Sequence, residues 1–349
     1  MKKKAVIVCP GRGTYNKSEL GYIARNHTEK RAVLDGFDDA RRDLGQIPLS
    51  DLDQAERFSM TLHTSGENAS GLIFAASYFD AQDVFEAFDV VAVTGNSMGW
   101  YTTLAVAGAV ESQHGFNIVN TMGRLMQDAS IGGQTLYPFV GDDWRHDPSA
   151  REGLLQIIEE INEREDHTLT VSIALGGMLV LAGNAAGLDA FEATVPERKG
   201  RFPLRLLNHA AFHSALQEPV ARKGQDALGV ELFGNCKIPM VDGRGAIWSP
   251  HSYDPRSLRD YTLGHQITET YDFTSAIRVA ARAFAPDIFV VLGPGDAMGS
   301  AVAQSLIAID WRGIESKGSF QARQKTDPVL LSMGRNTDRA TLNGLRAAR

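Results

Sequence analysis

Three short apolar runs constrain the fold most: residues 5–9 (AVIVC), 90–94 (VVAVT) and 288–292 (IFVVL). Each is rich in Val and Ile, and each leads into a turn containing glycine. Runs this short that lack polar alternation need cover on both faces, which predicts buried parallel strands. Helical patterns lie between them, at 68–79, 98–107, 116–129 and 274–284. Strands alternating with helices predict an α/β fold around a parallel sheet.

The middle of the chain has a different rhythm. Residues 134–140 read as a strand. Residues 150–164 read as an amphipathic helix, with Leu154, Leu155, Ile157, Ile158 and Ile161 along one side. Strands at 168–174 and 178–182 meet at Gly176-Gly177, a hairpin signal. A helix at 185–194 and a strand at 202–207 complete the order β-α-β-β-α-β, the ferredoxin-like unit. It is placed at 131–207, inserted into a discontinuous domain of 1–130 and 208–315. Periodicity fades after Gly313, so 316–349 reads as a basic C-terminal extension on the surface. That extension holds seven Lys/Arg against Asp327 and Asp338, a net of +5 within a chain of net −7.

Composition narrows the chemistry. Of 349 residues 43% are apolar and 22% charged, an ordinary globular balance. The negative net charge argues against a nucleic-acid partner. Cys9 and Cys236 are the only cysteines, too few for a disulfide framework or a Cys-based zinc site. The apolar run after the basic start is too short for a signal peptide. No stretch approaches the roughly 20 apolar residues of a membrane span. The expectation is a soluble cytoplasmic protein without a membrane partner, whose chemistry rests on ordinary side chains.

Gly95-Asn96-Ser97-Met98-Gly99 is a G-x-S-x-G pattern, preceded by an apolar strand and followed by an apolar helix. That context is what a nucleophile elbow on an α/β-hydrolase-like sheet requires. Small residues two positions either side of the serine permit the tight turn. The serine oxygen then projects at a helix N-terminus, where the N–H of Met98 can stabilise an oxyanion. A serine nucleophile needs a base. His209 and His213, four residues apart, are the notable histidines. Ala210 stands where a zinc protease motif has Glu, so no metal site is expected there. Spacing alone does not choose between the two histidines. The glycine turns at 10–13 and 292–295 match neither a phosphate loop nor a dinucleotide fingerprint. They lie at the sheet edge where ligands of such folds bind.

Five segments share one order: PGRG at 10–13, GNSMGWY at 95–101, MGRLMQDA at 122–129, AFHSAL at 211–216 and LGPGDAMG at 292–299. In this the chain resembles the malonyl-CoA:acyl-carrier-protein transacylases and the acyltransferase domains of fatty-acid and polyketide synthases, over residues 5–305. The resemblance implies that Ser97 takes an acyl group from acyl-CoA as an ester. His213 is then the base, for Ser97 and later for the thiol of an acyl carrier protein, and His209 is local structure. The oxyanion donors are the backbone N–H groups of Met98 and Arg12. The histidine is oriented by a backbone carbonyl, placed by alignment at Asp272. No metal or redox cofactor is implied.

Three positions depart from the family pattern. Met122 stands where malonyl-specific members carry a carboxylate-binding arginine, and Arg124 falls on another side of the helix. Asn96 replaces a histidine in the elbow, and Arg12 replaces a glutamine. Met122, Asn96 and Arg12 are therefore the expected substrate-binding departures. A charge-assisted pair is worth about 1.5–3 kcal/mol, so its loss predicts a preference for uncharged acyl groups. Malonyl transfer with Arg12 as the carboxylate partner is the competing reading. An acyl-carrier hydrolase and a non-catalytic scaffold subunit are the alternatives at the level of function. The basic extension is a candidate docking patch for an acidic carrier protein.

Overall fold

The computed structural model describes residues 2–347. Its strands are β1 (Lys4–Cys9), β2 (Asp89–Gly95), β3 (Gly133–Pro138), β4 (Leu169–Leu175), β5 (Met178–Gly183), β6 (Leu204–Arg205), β7 (Met240–Val241), β8 (Ile247–Trp248), β9 (Tyr271–Asp272), β10 (Ile288–Val291) and β11 (Leu330–Ser332). The helices that matter for the site are α1 (Gly66–Ala87), α2 (Gly99–Val106), α3 (Ser112–Ala129), α4 (Pro148–Asn162), α5 (Ala185–Thr194), α6 (Glu218–Ala227), α7 (Phe273–Phe284), α8 (Met298–Ile307), α9 (Lys317–Thr326) and α10 (Asn336–Ala347).

The first sheet has the order β11-β10-β1-β2-β7-β8, parallel throughout except for the β7–β8 pair. Residues 5–9 of β1 are fully buried between β10 and β2. A strand covered on both faces has no use for alternation, which is why its apolar run is continuous. Parallel pairing puts the carboxyl ends of β1, β2 and β10 on one edge. The turns carrying Arg12, Ser97 and Gly293 therefore emerge together.

The second sheet has the order β6-β3-β5-β4-β9. Its first four strands are antiparallel, and β9 joins β4 in parallel. Side chains alternate across it. Leu179 and Leu181 of β5 pack with Leu154 and Ile158 of α4 and Leu188 and Phe191 of α5 in a separate core. The opposite face presents Gln134, Leu136, Ile173, Leu175, Met178 and Val180 towards the first sheet's carboxyl edge.

Two expectations are corrected. The strand read at 202–207 is regular only at Leu204–Arg205, and the second sheet recruits β9 from far outside 131–207. The segment from 316 onward is not an appended extension, and its last two residues lie outside the described ones. Strand β11 pairs with β10 as the edge of the first sheet, and α10 packs on α1. The cations of this segment are largely spent on ion pairs. Arg323 meets Asp327, Arg335 meets Asp296, Arg339 meets Asp80, and Arg346 meets Asp83 and Glu86. That leaves little of the docking patch expected from net charge. Among the described residues no helix is long and apolar enough to cross a membrane.

Candidate active site

Strand β2 ends at Gly95 and α2 begins at Gly99, so Ser97 sits at the apex of the connecting turn with φ of 55°. A Cβ on Gly95 would lie 2.5 Å from the Gly99 carbonyl, and one on Gly99 would lie 2.2 Å from the Cys9 oxygen. Both glycines are thus required by close approach, as the elbow pattern predicts. Tyr271 donates its hydroxyl hydrogen to the Gly95 carbonyl at 2.7 Å, bracing the turn from below.

Ser97 Oγ lies 2.7 Å from His213 Nε2. His213 Nδ1 lies 2.6 Å from the backbone oxygen of Gln266, to which it donates. That donation fixes the tautomer: Nε2 is left to accept the serine proton. Burial pushes the His213 pKa down to about 4, with the Gln266 carbonyl acting in the opposite sense. The imidazole is neutral, and ready as a base, near pH 7. The orienting carbonyl is therefore Gln266's and not Asp272's. Asp272 instead caps α7, its side chain accepting from the Ser275 N–H at 2.8 Å.

Gln266 does more than supply that carbonyl. Its Nε2 donates to the backbone oxygen of Ser97 at 3.0 Å, and its Oε1 accepts from the Tyr101 hydroxyl at 3.3 Å. One residue thereby holds both members of the pair. No motif marks it, because it acts through a backbone atom and a bond to a residue 169 positions away.

The backbone N–H groups of Met98 and Arg12 donate to no acceptor among the described residues. Met98 heads α2, where the helix dipole also favours negative charge. The Arg12 turn is pressed onto the elbow: a Cβ on Gly11 would come within 2.6 Å of the Asn96 carbonyl.

Two cavities meet at Ser97. One is a narrow recess of about 20 Å³, whose lining includes Arg12, Tyr101, Gly123, Met126, Phe212 and Ile267. The other is a channel of about 240 Å³ between the two sheets, which takes in Arg12, Asn96, Gln134, His209 and the apolar face of the second sheet. Asn96 and Arg12 lie on these walls. Met122 is corrected: it is fully buried against Gly224 of α6, and the wall residues from α3 are Gly123 and Met126. Arg124 is exposed, as helical spacing predicts.

Arg12 roofs the recess. Its Nη2 donates to the carbonyls of Thr64 and Asn208, each at 3.1 Å, and its guanidinium lies 5.4 Å from the centre of the Phe212 ring. Burial pushes its pKa down to about 10. No carboxylate among the described residues pairs with it. It is a half-buried cation without a carboxylate partner among the described residues, on the same recess as Ser97.

A parallel sheet with a serine elbow and a buried Ser–His pair at its carboxyl edge defines an α/β fold equipped for acyl-serine chemistry. Comparison with known proteins narrows the class. No protein-family model matches the chain. A malonyl CoA-acyl carrier protein transacylase of Haemophilus influenzae is 26% identical over 224 residues, covering 63% of this chain and 68% of that protein. The solved malonyl-CoA:acyl carrier protein transacylase of Xanthomonas oryzae superposes with a TM-score of 0.77 at 18% identity, over 99% of both chains. A malonyl-transacylase solved with a type II polyketide synthase acyl carrier protein superposes at 0.73 and 18% identity, over 99% of this chain and 100% of that one. The chain has the fold of the malonyl-CoA:acyl carrier protein transacylases, and two of its curated relatives carry that name. The likeness in fold runs through the C-terminal segment, beyond the 5–305 expected from motifs.

Proposed function

We propose that this protein is a serine S-acyltransferase that moves an acyl group from coenzyme A to the phosphopantetheine thiol of an acyl carrier protein in the cytoplasm. The observation that carries it is the line Ser97 Oγ, His213 Nε2 and Nδ1, Gln266 carbonyl, flanked by two free backbone N–H groups.

The steps follow from those atoms. His213 Nε2 takes the Ser97 proton as Oγ attacks the thioester carbonyl carbon. The N–H groups of Met98 and Arg12 hold the oxyanion. Collapse breaks the C–S bond, and the coenzyme A thiolate leaves with the proton from His213. The carrier thiol then gives its proton to Nε2 and attacks the Ser97 ester, and the serine oxygen recovers that proton. This chemistry draws on side chains and backbone alone.

The acyl group proposed is one bearing a free carboxylate, of the malonyl type, rather than the uncharged group expected from Met122. Met122 does not face the recess, which removes the ground for that expectation. Arg12 supports the charged reading, since a half-buried guanidinium with no carboxylate partner among the described residues can form a charge-assisted pair with an acyl carboxylate.

Intact-protein mass spectrometry after mixing with malonyl-, acetyl- and longer acyl-CoAs tests both parts. A malonyl adduct is expected on the wild type and none on Ser97→Ala. Arg12→Leu is expected to lower malonylation about 10- to 100-fold relative to acetylation. Preferential acetylation of the wild type would restore the uncharged reading. Release of free acid without transfer to carrier protein would make it a hydrolase.

A further inference from the structure

His209 has no part in the steps above, yet it lies on the channel that leads to Ser97. Its Nδ1 is 2.8 Å from Gln134 Oε1, an atom that only accepts, so Nδ1 carries the hydrogen. Gln134 is locked in turn. Its Nε2 donates to Ser172 Oγ at 2.6 Å, and Ser172 Oγ donates to the Phe212 carbonyl at 2.7 Å. This relay leaves the lone pair on His209 Nε2 with no donor among the described residues. Burial and the nearby Arg12 push the His209 pKa down to about 3, so Nε2 remains an acceptor at working pH. A second acceptor on the same channel is also unmatched: Asn96 is 7% exposed, and its Oδ1 has no partner. The rest of the channel is largely apolar, with Leu136, Ile173, Met178 and Val180. An accessible acceptor, His209 Nε2, and a buried unpartnered one, Asn96 Oδ1, on an apolar channel suit a ligand that brings N–H groups and a slender aliphatic body.

We propose that His209 Nε2 accepts a hydrogen bond from an amide N–H of the pantetheine arm as the thioester lies in the channel. The inference rests on the acyl-transfer reading and adds a positioning residue to it. The pantetheine arm has two amide N–H groups joined by short aliphatic links, which is the chemistry the channel lacks. His209 thereby sets how far the arm advances, and so where the thioester carbonyl meets Ser97.

The test compares malonyl-pantetheine with two analogues in which one amide N–H or the other is replaced by an ester oxygen. The readout is kcat/KM for acylation of Ser97. The wild type is expected to lose about 10-fold on one of the two analogues, the cost of one buried hydrogen bond. Two variants separate this role from a structural one. In His209→Gln the carboxamide reaches where Nε2 lies, so an acceptor is restored and the discrimination persists. In His209→Asn the carboxamide reaches only where Nδ1 lies, keeping the Gln134 bond, and the three thioesters react within about 2-fold of one another. A merely structural His209 gives the reverse ranking, with Asn the better replacement. Equal rates for the wild type on all three thioesters overturn the proposal without any variant. Failure of every thioester to acylate Ser97 overturns the acyl-transfer reading, and this one with it.

Discussion

Gln266 spans the catalytic pair: its carbonyl takes His213 Nδ1 and its side chain holds the Ser97 carbonyl. Replacing it by leucine leaves the backbone carbonyl and removes the side-chain bond. Gln266→Leu is therefore expected to lower kcat for acylation about 10-fold with little change in KM, as measured by single-turnover kinetics. Residues differ in how legible they are. Ser97 is readable because its role is written in its immediate neighbours, the glycines at 95 and 99. Gln266 is not, because its neighbours in space are distant in sequence. The setting of Met122 is hidden from the sequence for a related reason. Helical spacing tells which residues share a side of α3, but not which side meets the recess.

Among the elements, α10 shows how a polar sequence can still be integral. Its Arg339 reaches Asp80 in the middle of α1 at 2.6 Å. Asp80 also accepts from the Gly293 N–H at 2.7 Å and meets His27 at 2.8 Å. Burial works against the Asp80 charge, but His27 and Arg339 outweigh it and hold the carboxyl below its ordinary range. Removing one partner leaves a buried carboxylate undercompensated. Arg339→Met is expected to destabilise by about 3 kcal/mol in urea denaturation, with faster amide exchange in β11. Long periodic elements were legible: the helix at Ala185–Thr194 is found at its expected bounds. Strands β9 and β11, of two and three residues, were not. So few residues carry no period, and their strand state comes from the ladder they join.

For the molecule as a whole, the buried histidines set the acid limb of stability. His213 and His209 have pKa values pushed down to about 4 and about 3, against about 6.5 in an unfolded chain. Between pH 6.5 and 4 the unfolded state binds protons that the native state does not, so stability falls as pH falls through that window. Above pH 6.5 both states are unprotonated and the effect vanishes. Asp80 adds a further loss at lower pH, as its depressed carboxyl is finally protonated. Urea midpoints are expected to be level from pH 8 to 7 and then to drop, with a slope approaching two protons. His209→Asn should reduce that slope by about one proton. A level profile down to pH 5 would contradict the buried neutral state of both histidines.

By itself the sequence determined the parallel sheet, the elbow and the identity of Ser97. Those depend on patterns within about ten residues, where backbone sterics and strand burial act directly. Spacing left His209 and His213 open and the family resemblance chose His213; tertiary structure decided whose carbonyl orients it, which side chains wall the recess, and that the basic C-terminal segment completes the first sheet. Ser97 and His213 are 116 positions apart, and Arg339 and Asp80 are 259 apart. Such meetings follow from how the helices and sheets pack, and no local pattern encodes the packing of elements that distant. The same packing leaves His209 Nε2 without a donor, and the Arg12 guanidinium without a carboxylate, among the described residues beside the serine. The chemistry of the bound thioester is written there.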